Sequence, residues 1–351
     1  MTVSVAVLGA GYFAALHHDG WARLPGARLV AVADRDRDRA ERAAHPHRAR
    51  AFADVEAMLA RARPDVLDIC VPPDGHAEAI RAGLAADVSM IVCQKPFCRD
   101  ADEARAVAAE ARTAGIPLAV HENFRFQPWW RAIRAAVAEG AVGDPLDASF
   151  RLRPGDGQGA DAYADRQPYF RTMPRLLVHE TGVHFVDVFR FLLGEAEAVT
   201  ARTRRLNPAI RGEDAAIVVT EHGGGAQSVF DGNRLLDHDA ADRRRTMGEG
   251  LVEGTGGTLL VDGSGAVTLR RAGSRATRTV LAAEDHARFG GDCVHHLQAH
   301  LLRHLAGRGP LENGAEDYLP VLATEAAIYR SAAEGRRVAL GPFRGAAAAA
   351  E

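Results

Sequence analysis

The sequence predicts a two-domain α/β protein: a doubly wound parallel sheet, then an α+β domain carrying a large, mostly antiparallel sheet. Three observations predict it. At 351 residues the chain exceeds one ordinary domain and can fill two cores. Its first third alternates short β-branched runs with longer Ala-rich, charged segments, the pattern of strand-helix-strand units feeding a parallel sheet. After Glu122 the strand-like runs are separated by Gly-rich turns instead of helices, as antiparallel sheets require. The expected boundaries are 1–122, 123–340 and a tail at 341–351 that ends in an Ala run without an apolar face.

In the first domain, Val3 to Leu8, Arg28 to Ala33, Val66 to Val71, Val88 to Cys93 and Pro117 to His121 are brief apolar runs suited to strands buried on both faces. Helices are predicted at Phe13 to Leu24, Asp36 to Ala44, Val55 to Ala62, His76 to Ala85 and Ala101 to Ala114, from helix period and Gly or Pro stops. The second domain opens with a helix at Pro128 to Glu139. Strands follow at Asp147 to Leu152, Ala215 to Thr220, Ala226 to Phe230, Thr258 to Val261 and Ala266 to Leu269. Helices are expected near Gly182 to Leu193, Asp292 to Leu305 and Leu319 to Glu334.

A formal net charge of -3 provides no electrostatic footprint for nucleic acid or an anionic membrane, which favours a small-molecule partner. The chain starts on a strand without the basic, apolar and cleavable segments of a secretory leader, and no run approaches a membrane span, so a cytoplasmic protein is expected. Cys70, Cys93, Cys98 and Cys293 form no C-x-x-C pair and are read as reduced thiols.

Gly9, Gly11 and Ala14 spell G-x-G-x-x-A at the joint of the first strand and first helix. There the backbone can approach a pyrophosphate and a helix N-terminus can face its charge, with Tyr12 and Phe13 in the same turn. Asp34, at the end of the second strand, completes the Rossmann dinucleotide pattern. Its carboxylate can accept from adenosine ribose hydroxyls and repels the extra phosphate of NADP, favouring NAD; neighbouring Arg35 could pair with that phosphate and leaves NADP open. The plainer alternative is a tight turn without a nucleotide.

Of 43 Lys and Arg residues, one is lysine: Lys95. A partly buried lysine can shed and regain a proton, which arginine cannot. Lys95 follows the strand Val88 to Cys93 at the carboxyl edge of the sheet, where ligands of open α/β folds bind. Pro96 allows a cis peptide that would aim the side chain.

These residues, with G-A-G-Y-F-A at Gly9, Q-K-P at Gln94 and E-T-G-V-H-F-V-D at Glu180, resemble the Gfo/Idh/MocA oxidoreductases, from Val3 to about Val338. The resemblance implies that Lys95 and His184 are a catalytic pair that holds a reacting hydroxyl and moves its proton while hydride passes to nicotinamide. Gln94 stands where the family usually has Glu, and Glu180 where it usually has Asp. Val71, Pro72 and His76 resemble the segment flanking the nicotinamide ribose. His121-Glu122-Asn123-Phe124-Arg125 resembles a strand end where Asn123 contacts the carboxamide or substrate; hinge ion pairs between domains are an equal reading of Glu122 and Arg125. Gln94 and Lys95 are counted with the cofactor contacts, and Arg125 with those of the substrate.

Independently, Glu180, His184 and Asp187 at i, i+4 and i+7 share a face if the segment is helical, forming a carboxylate-histidine relay; a capping Glu180 and a core His184 are the alternative. The polar loop from Arg151 to Tyr169 offers Arg153, Asp156, Gln158, Asp161 and Tyr163 to a polyhydroxylated ligand, or forms a solvated loop or oligomer contact. His296, His300 and His304 at helix spacing are read as a helix face, with no metal. The expectation is an NAD(P)-dependent dehydrogenase of a sugar or polyol, forming a homodimer or homotetramer. Transient use of bound NAD in epimerisation, elimination or glycosidic cleavage is one alternative, and a non-catalytic sensor another.

Overall fold

The computed structural model describes residues 2–284 and 288–341; the expected tail beyond 341 lies outside the described residues. The chain divides into two compact units, Met1–Asn123 with Val294–Leu319, and Phe124–Cys293 with Pro320–Glu351.

The first unit runs β1 (Val3–Leu8), α1 (Ala14–Arg23), β2 (Ala27–Ala33), α2 (Arg37–Ala44), β3 (Arg50–Phe52), α3 (Val55–Ala62), β4 (Val66–Ile69), α4 (His76–Ala85), β5 (Met90–Gln94), α5 (Ala101–Ala114) and β6 (Leu118–His121). Its six strands are ordered β3-β2-β1-β4-β5-β6 and pair in parallel. This is the expected doubly wound Rossmann sheet, with one strand more. β3 has three residues, of which only Phe52 is buried, too few for any periodicity to register. β1 lies between β2 and β4, so the direction of winding reverses there and the loops after β1 and β4 open the crevice where such sheets bind ligands. Because the strands are parallel, Gly9, Asp34, Val71, Lys95 and Glu122 all emerge at one edge.

The second unit contains α6 (Pro128–Ala138), β7 (Pro145–Leu152), α7 (Val183–Leu193), β8 (Ala196–Arg204), β9 (Ala215–His222), β10 (Gln227–Asn233), β11 (Gly248–Gly254), β12 (Gly257–Val261), β13 (Val267–Arg271) and β14 (Thr277–Leu281); the chain closes through α8 (Cys293–Leu305), α9 (Ala315–Glu334) and β15 (Val338–Ala339). Nine strands form one sheet, β14-β13-β12-β11-β7-β10-β9-β8-β15. Only the central β7–β10 pair is parallel. Four of these strands, β8, β11, β14 and β15, are additions to the sequence expectation. β11 reads G-E-G-L-V-E-G, and Gly250 is there because a Cβ would come within 3.0 Å of the Phe150 ring and 3.1 Å of Trp130. α7 is held to the sheet by aromatic stacking, Phe185 lying 4.0 Å from Phe150 and 5.3 Å from Phe230 between ring centroids. Burying a side chain of that size stabilises by about 1.5–3 kcal/mol.

The segment Val294–Leu319, which a continuous 123–340 domain would include, packs with the first unit. Gln298 donates to the His17 carbonyl (3.1 Å), and Asn313 donates to that of Glu122 (2.8 Å). Gly20 on α1 leaves room for Gln298, whose Oε1 would lie 2.1 Å from a Cβ. Among the described residues no helix is long and apolar enough to cross a membrane.

Candidate active site

The turn after β1 is shaped by close backbone approach. Gly9 has φ +121°, and a Cβ there would meet the Cys70 carbonyl oxygen at 2.1 Å, so no other residue fits. Gly11 is exposed, and a Cβ there would meet nothing within 4 Å; glycine keeps that space clear. α2, α3 and α5 begin on the carboxylates of Asp36, Asp54 and Asp100, which accept from their first-turn amides. α1 has no side-chain cap at Phe13 and no acid in its first turn. An N-terminus without its own anion suits a phosphate, and the residues present therefore fit a dinucleotide. Tyr12 is 48% exposed, Phe13 meets the His17 ring edge-on, and Ala14 is buried.

The half-buried Asp34 carboxylate joins the end of β2 to this turn. Its Oδ2 accepts from the Ala10 amide and its Oδ1 from Asp36, both at 2.9 Å. A carboxylate has about four acceptor positions, which leaves room for ribose hydroxyls. Arg35 is exposed.

Lys95 is half-buried at the end of β5, and its peptide bond to Pro96 is cis. Its main-chain N–H donates to Gln94 Oε1 at 2.7 Å. The Gln94 amide nitrogen lies 2.9 Å from Nε2 of His17, whose Nδ1 is 2.8 Å from Asp68 Oδ2. His76 was expected among the cofactor contacts, but the structure gives it 0% exposure. Its Nε2 donates to the Val71 carbonyl (2.9 Å) and its Nδ1 accepts from the Cys98 amide (3.3 Å). Burial lowers its pKa to about 4, so a neutral ring ties the loop after β4 to the loop after β5. Val71 is half-buried and Pro72 exposed. Glu122 is fully buried and accepts from the Tyr318 hydroxyl at 3.2 Å; Asn123 beside it is 1% exposed.

In the second unit, Glu180 and His184 do not share one regular helix. Leu177–Gly182 is a π-helix and α7 begins at Val183; the wider turn breaks the i, i+4 register on which the relay rested. Asp187 is also committed elsewhere. Fully buried, it accepts two bonds from the Arg125 guanidinium, one at 2.7 Å from Nε. Arg125 is thus an ion-pair partner inside the second unit. His184 is 5% exposed and stacks on Phe124, ring centroids 3.8 Å apart and planes 5° from parallel.

The polar loop divides in three. Arg153 turns into the sheet, where its guanidinium pairs with the Asp231 carboxylate and donates to the Asp231 carbonyl at 2.6 Å. Asp156 accepts from the Tyr163 hydroxyl (2.9 Å) and from buried Arg234 (3.1 Å to each oxygen), which also donates to Thr181 Oγ1 in the π-helix. Burial works against the charge on Arg234, but Asp156, Tyr163 and Glu180 outweigh it and hold the guanidinium protonated. Gln158 and Asp161 are exposed, Gln158 donating to the Leu235 carbonyl. His300 Nε2 accepts from the Glu312 amide, and His304 donates to the Gly309 carbonyl. Among the described residues no group of three or more His, Cys, Asp or Glu is arranged to hold a metal, and none of the four cysteines is in a disulfide.

Sequence reasoning missed His17, Asp68, Arg234 and the Arg125–Asp187 pair. One signal was available: Asp68 interrupts the apolar run of β4, and a carboxylate there must find buried partners.

Residues 3–122 match the model of an oxidoreductase family with an NAD-binding Rossmann fold, and residues 130–259 match the GFO/IDH/MocA C-terminal domain. The chain is 33% identical to a D-apiose dehydrogenase of Paraburkholderia graminis, over 95% of this chain and 89% of the relative. It is 28% identical to an inositol 2-dehydrogenase of Rhizobium meliloti, over 97% and 100%. Its fold superposes with a TM-score of 0.88 on an Agrobacterium radiobacter oxidoreductase solved with NAD+, L-tartaric acid and magnesium, at 29% identity over 97% of this chain and 98% of that one. The expected family, fold class and NAD-binding domain are thus shown: the chain belongs to the Gfo/Idh/MocA family of oxidoreductases.

Proposed function

We propose that the protein oxidises a hydroxyl of a sugar or polyol, with Lys95 and His184 acting on the oxygen that loses its proton. The observation that carries this reading is Lys95 itself. The one lysine of the chain lies at the carboxyl edge of a parallel sheet, its main chain anchored by Gln94, beside a turn whose uncapped helix and cleared space fit a dinucleotide. When bound, nicotinamide supplies the hydride acceptor. Lys95 donates a hydrogen bond to the hydroxyl oxygen, and His184, held flat against Phe124, takes or returns the proton. The Asp34 carboxylate favours NAD over NADP. Relatives named for D-apiose and inositol oxidation support a polyhydroxylated substrate, which Glu180 and the Asp156–Tyr163–Arg234 cluster would help to select.

We further propose a cytoplasmic homo-oligomer joined through the sheet of the second unit. Val219, Val229, Ser149, Leu251 and Leu260 stand in register across five adjacent strands; Leu260 in this row is 40% exposed and Ile217, two residues before Val219 on β9, is 48% exposed, a face suited to burial against a second copy.

The test is absorbance in the reduced-nicotinamide band while aldoses, apiose, polyols and inositols are screened with each dinucleotide. Reduced cofactor accumulating over many turnovers with NAD is expected. Conversion of substrate without net reduction would assign transient use of the cofactor, and tight sugar binding without turnover would overturn the enzyme reading.

A further inference from the structure

The polar chain buried behind Lys95 carries an inference about proton placement. A main-chain N–H is a donor only, so the Gln94 atom 2.7 Å from the Lys95 nitrogen is the amide oxygen. The amide NH2 is thereby turned to His17, 2.9 Å from Nε2. An amide NH2 donates and does not accept, so Nε2 must offer a lone pair and carry no proton. The ring's single proton then sits on Nδ1, donated to Asp68 at 2.8 Å, and the same carboxylate oxygen takes the Trp21 indole N–H at 2.6 Å. His17, Trp21 and Asp68 are each 0% exposed, so bulk water cannot substitute for a missing partner.

A second proton on His17 would set two donors against Gln94, which has one acceptor oxygen and cannot serve both the ring and Lys95. The other titratable groups around the ring are Cys70, which like Asp68 belongs to the β4 end, His18 beside it on α1, and His121, whose ring lies 4.0 Å away at the end of β6. Burial opposes a positive His17, whereas Asp68 and then Cys70 favour it. The Gln94 amide, which turns only donors toward Nε2, sides with burial and holds the ring neutral.

We propose that His17 is a positioning residue for Lys95: its neutral Nδ1–H tautomer orients the Gln94 amide, which pins the main chain from which the Lys95 amine reaches its substrate. The catalytic consequence rests on the function proposed for Lys95; the tautomer does not.

The experiment is 15N NMR of histidine-labelled full-length protein with NAD present at neutral pH. His17 is expected protonated at Nδ1 and bare at Nε2. Gln94→Glu provides a carboxylate able to accept from both neighbours, and should convert His17 to imidazolium. An imidazolium in the wild type, or an unchanged neutral ring in Q94E, overturns the proposal. Turnover gives a second readout. His17→Leu should lower kcat about tenfold to a hundredfold with the KM for NAD held within about twofold, and His17→Gln, which returns an acceptor oxygen, should recover at least about threefold of the loss. Wild-type kcat in H17L would also overturn it. If the NMR result holds while Lys95→Ala turns over normally, the tautomer stands and the role proposed for Lys95 fails.

Discussion

Replacing Arg125 by Ala removes both bonds that the Asp187 carboxylate receives from one guanidinium. The side chains of Arg125 and Asp187 are 13% and 0% exposed, so little solvent screens the pair. At 2.7 Å and an effective dielectric constant near 20, their attraction is about 6 kcal/mol before desolvation is subtracted. Removing one partner of a buried pair costs about 3–5 kcal/mol, because the other is left charged and unpaired. Arg190, 3.8 Å from the same carboxylate, remains as a weaker neighbour and places the expected loss near 3 kcal/mol. The assay is a double-mutant cycle in urea, followed by far-UV circular dichroism, with Arg125→Ala, Asp187→Leu and the two combined. The double variant should be less destabilised than the two single losses summed, by about 2–3 kcal/mol. Additive losses, or an R125A protein within about 0.5 kcal/mol of wild type, would refute the argument that Arg125 and Asp187 are coupled as a buried pair.

Lys95→Ala should lower kcat by about 10²–10⁴ while NAD affinity, read by fluorescence titration, stays within a few-fold; unchanged kcat would remove Lys95 from the chemistry. Asp34→Ala should raise the NADP-to-NAD ratio of kcat/KM by at least about tenfold, since it removes the carboxylate that repels a 2'-phosphate, and an unchanged ratio would deny Asp34 that role. Burial lowers the pKa of both His18 and His76 to about 4, against roughly 6.5 in the unfolded chain. Between those values the unfolded chain binds more protons, so stability is complete above about pH 6.5 and falls as the pH drops toward 4, by up to about 3 kcal/mol for each ring. Thermal unfolding of His76→Gln should be less acid-sensitive than wild type in that window, and parallel melting curves would contradict the assignment.

The first unit was legible because its logic is local. Buried parallel strands read as apolar runs, the dinucleotide turn announces itself by glycine spacing, and the acid closing the pattern comes at the end of the next strand. What stayed hidden depended on partners distant in sequence. His17 looked like a helix residue until β4 and β5 brought Asp68 and Gln94 against it. Asp187 could be set on a helix face, but no periodicity shows that Arg125, 62 residues earlier, claims it first. The π-turn before α7 defeated the spacing argument because a helix of altered pitch has no separate signature in residue order. In the sheet of the second unit, β11 was lost to its own glycines: Gly250 makes room for the Phe150 and Trp130 rings, while Gly248 and Gly254 lie against neighbouring backbone.

The solitary lysine has a practical corollary. Apart from the α-amine, an acylating or reductively methylating reagent has one primary amine to find in the whole chain, so peptide mass mapping would report adduct formation at Lys95 with little background. Protection of that amine by added dinucleotide or sugar would make ligand occupancy measurable before any substrate is known.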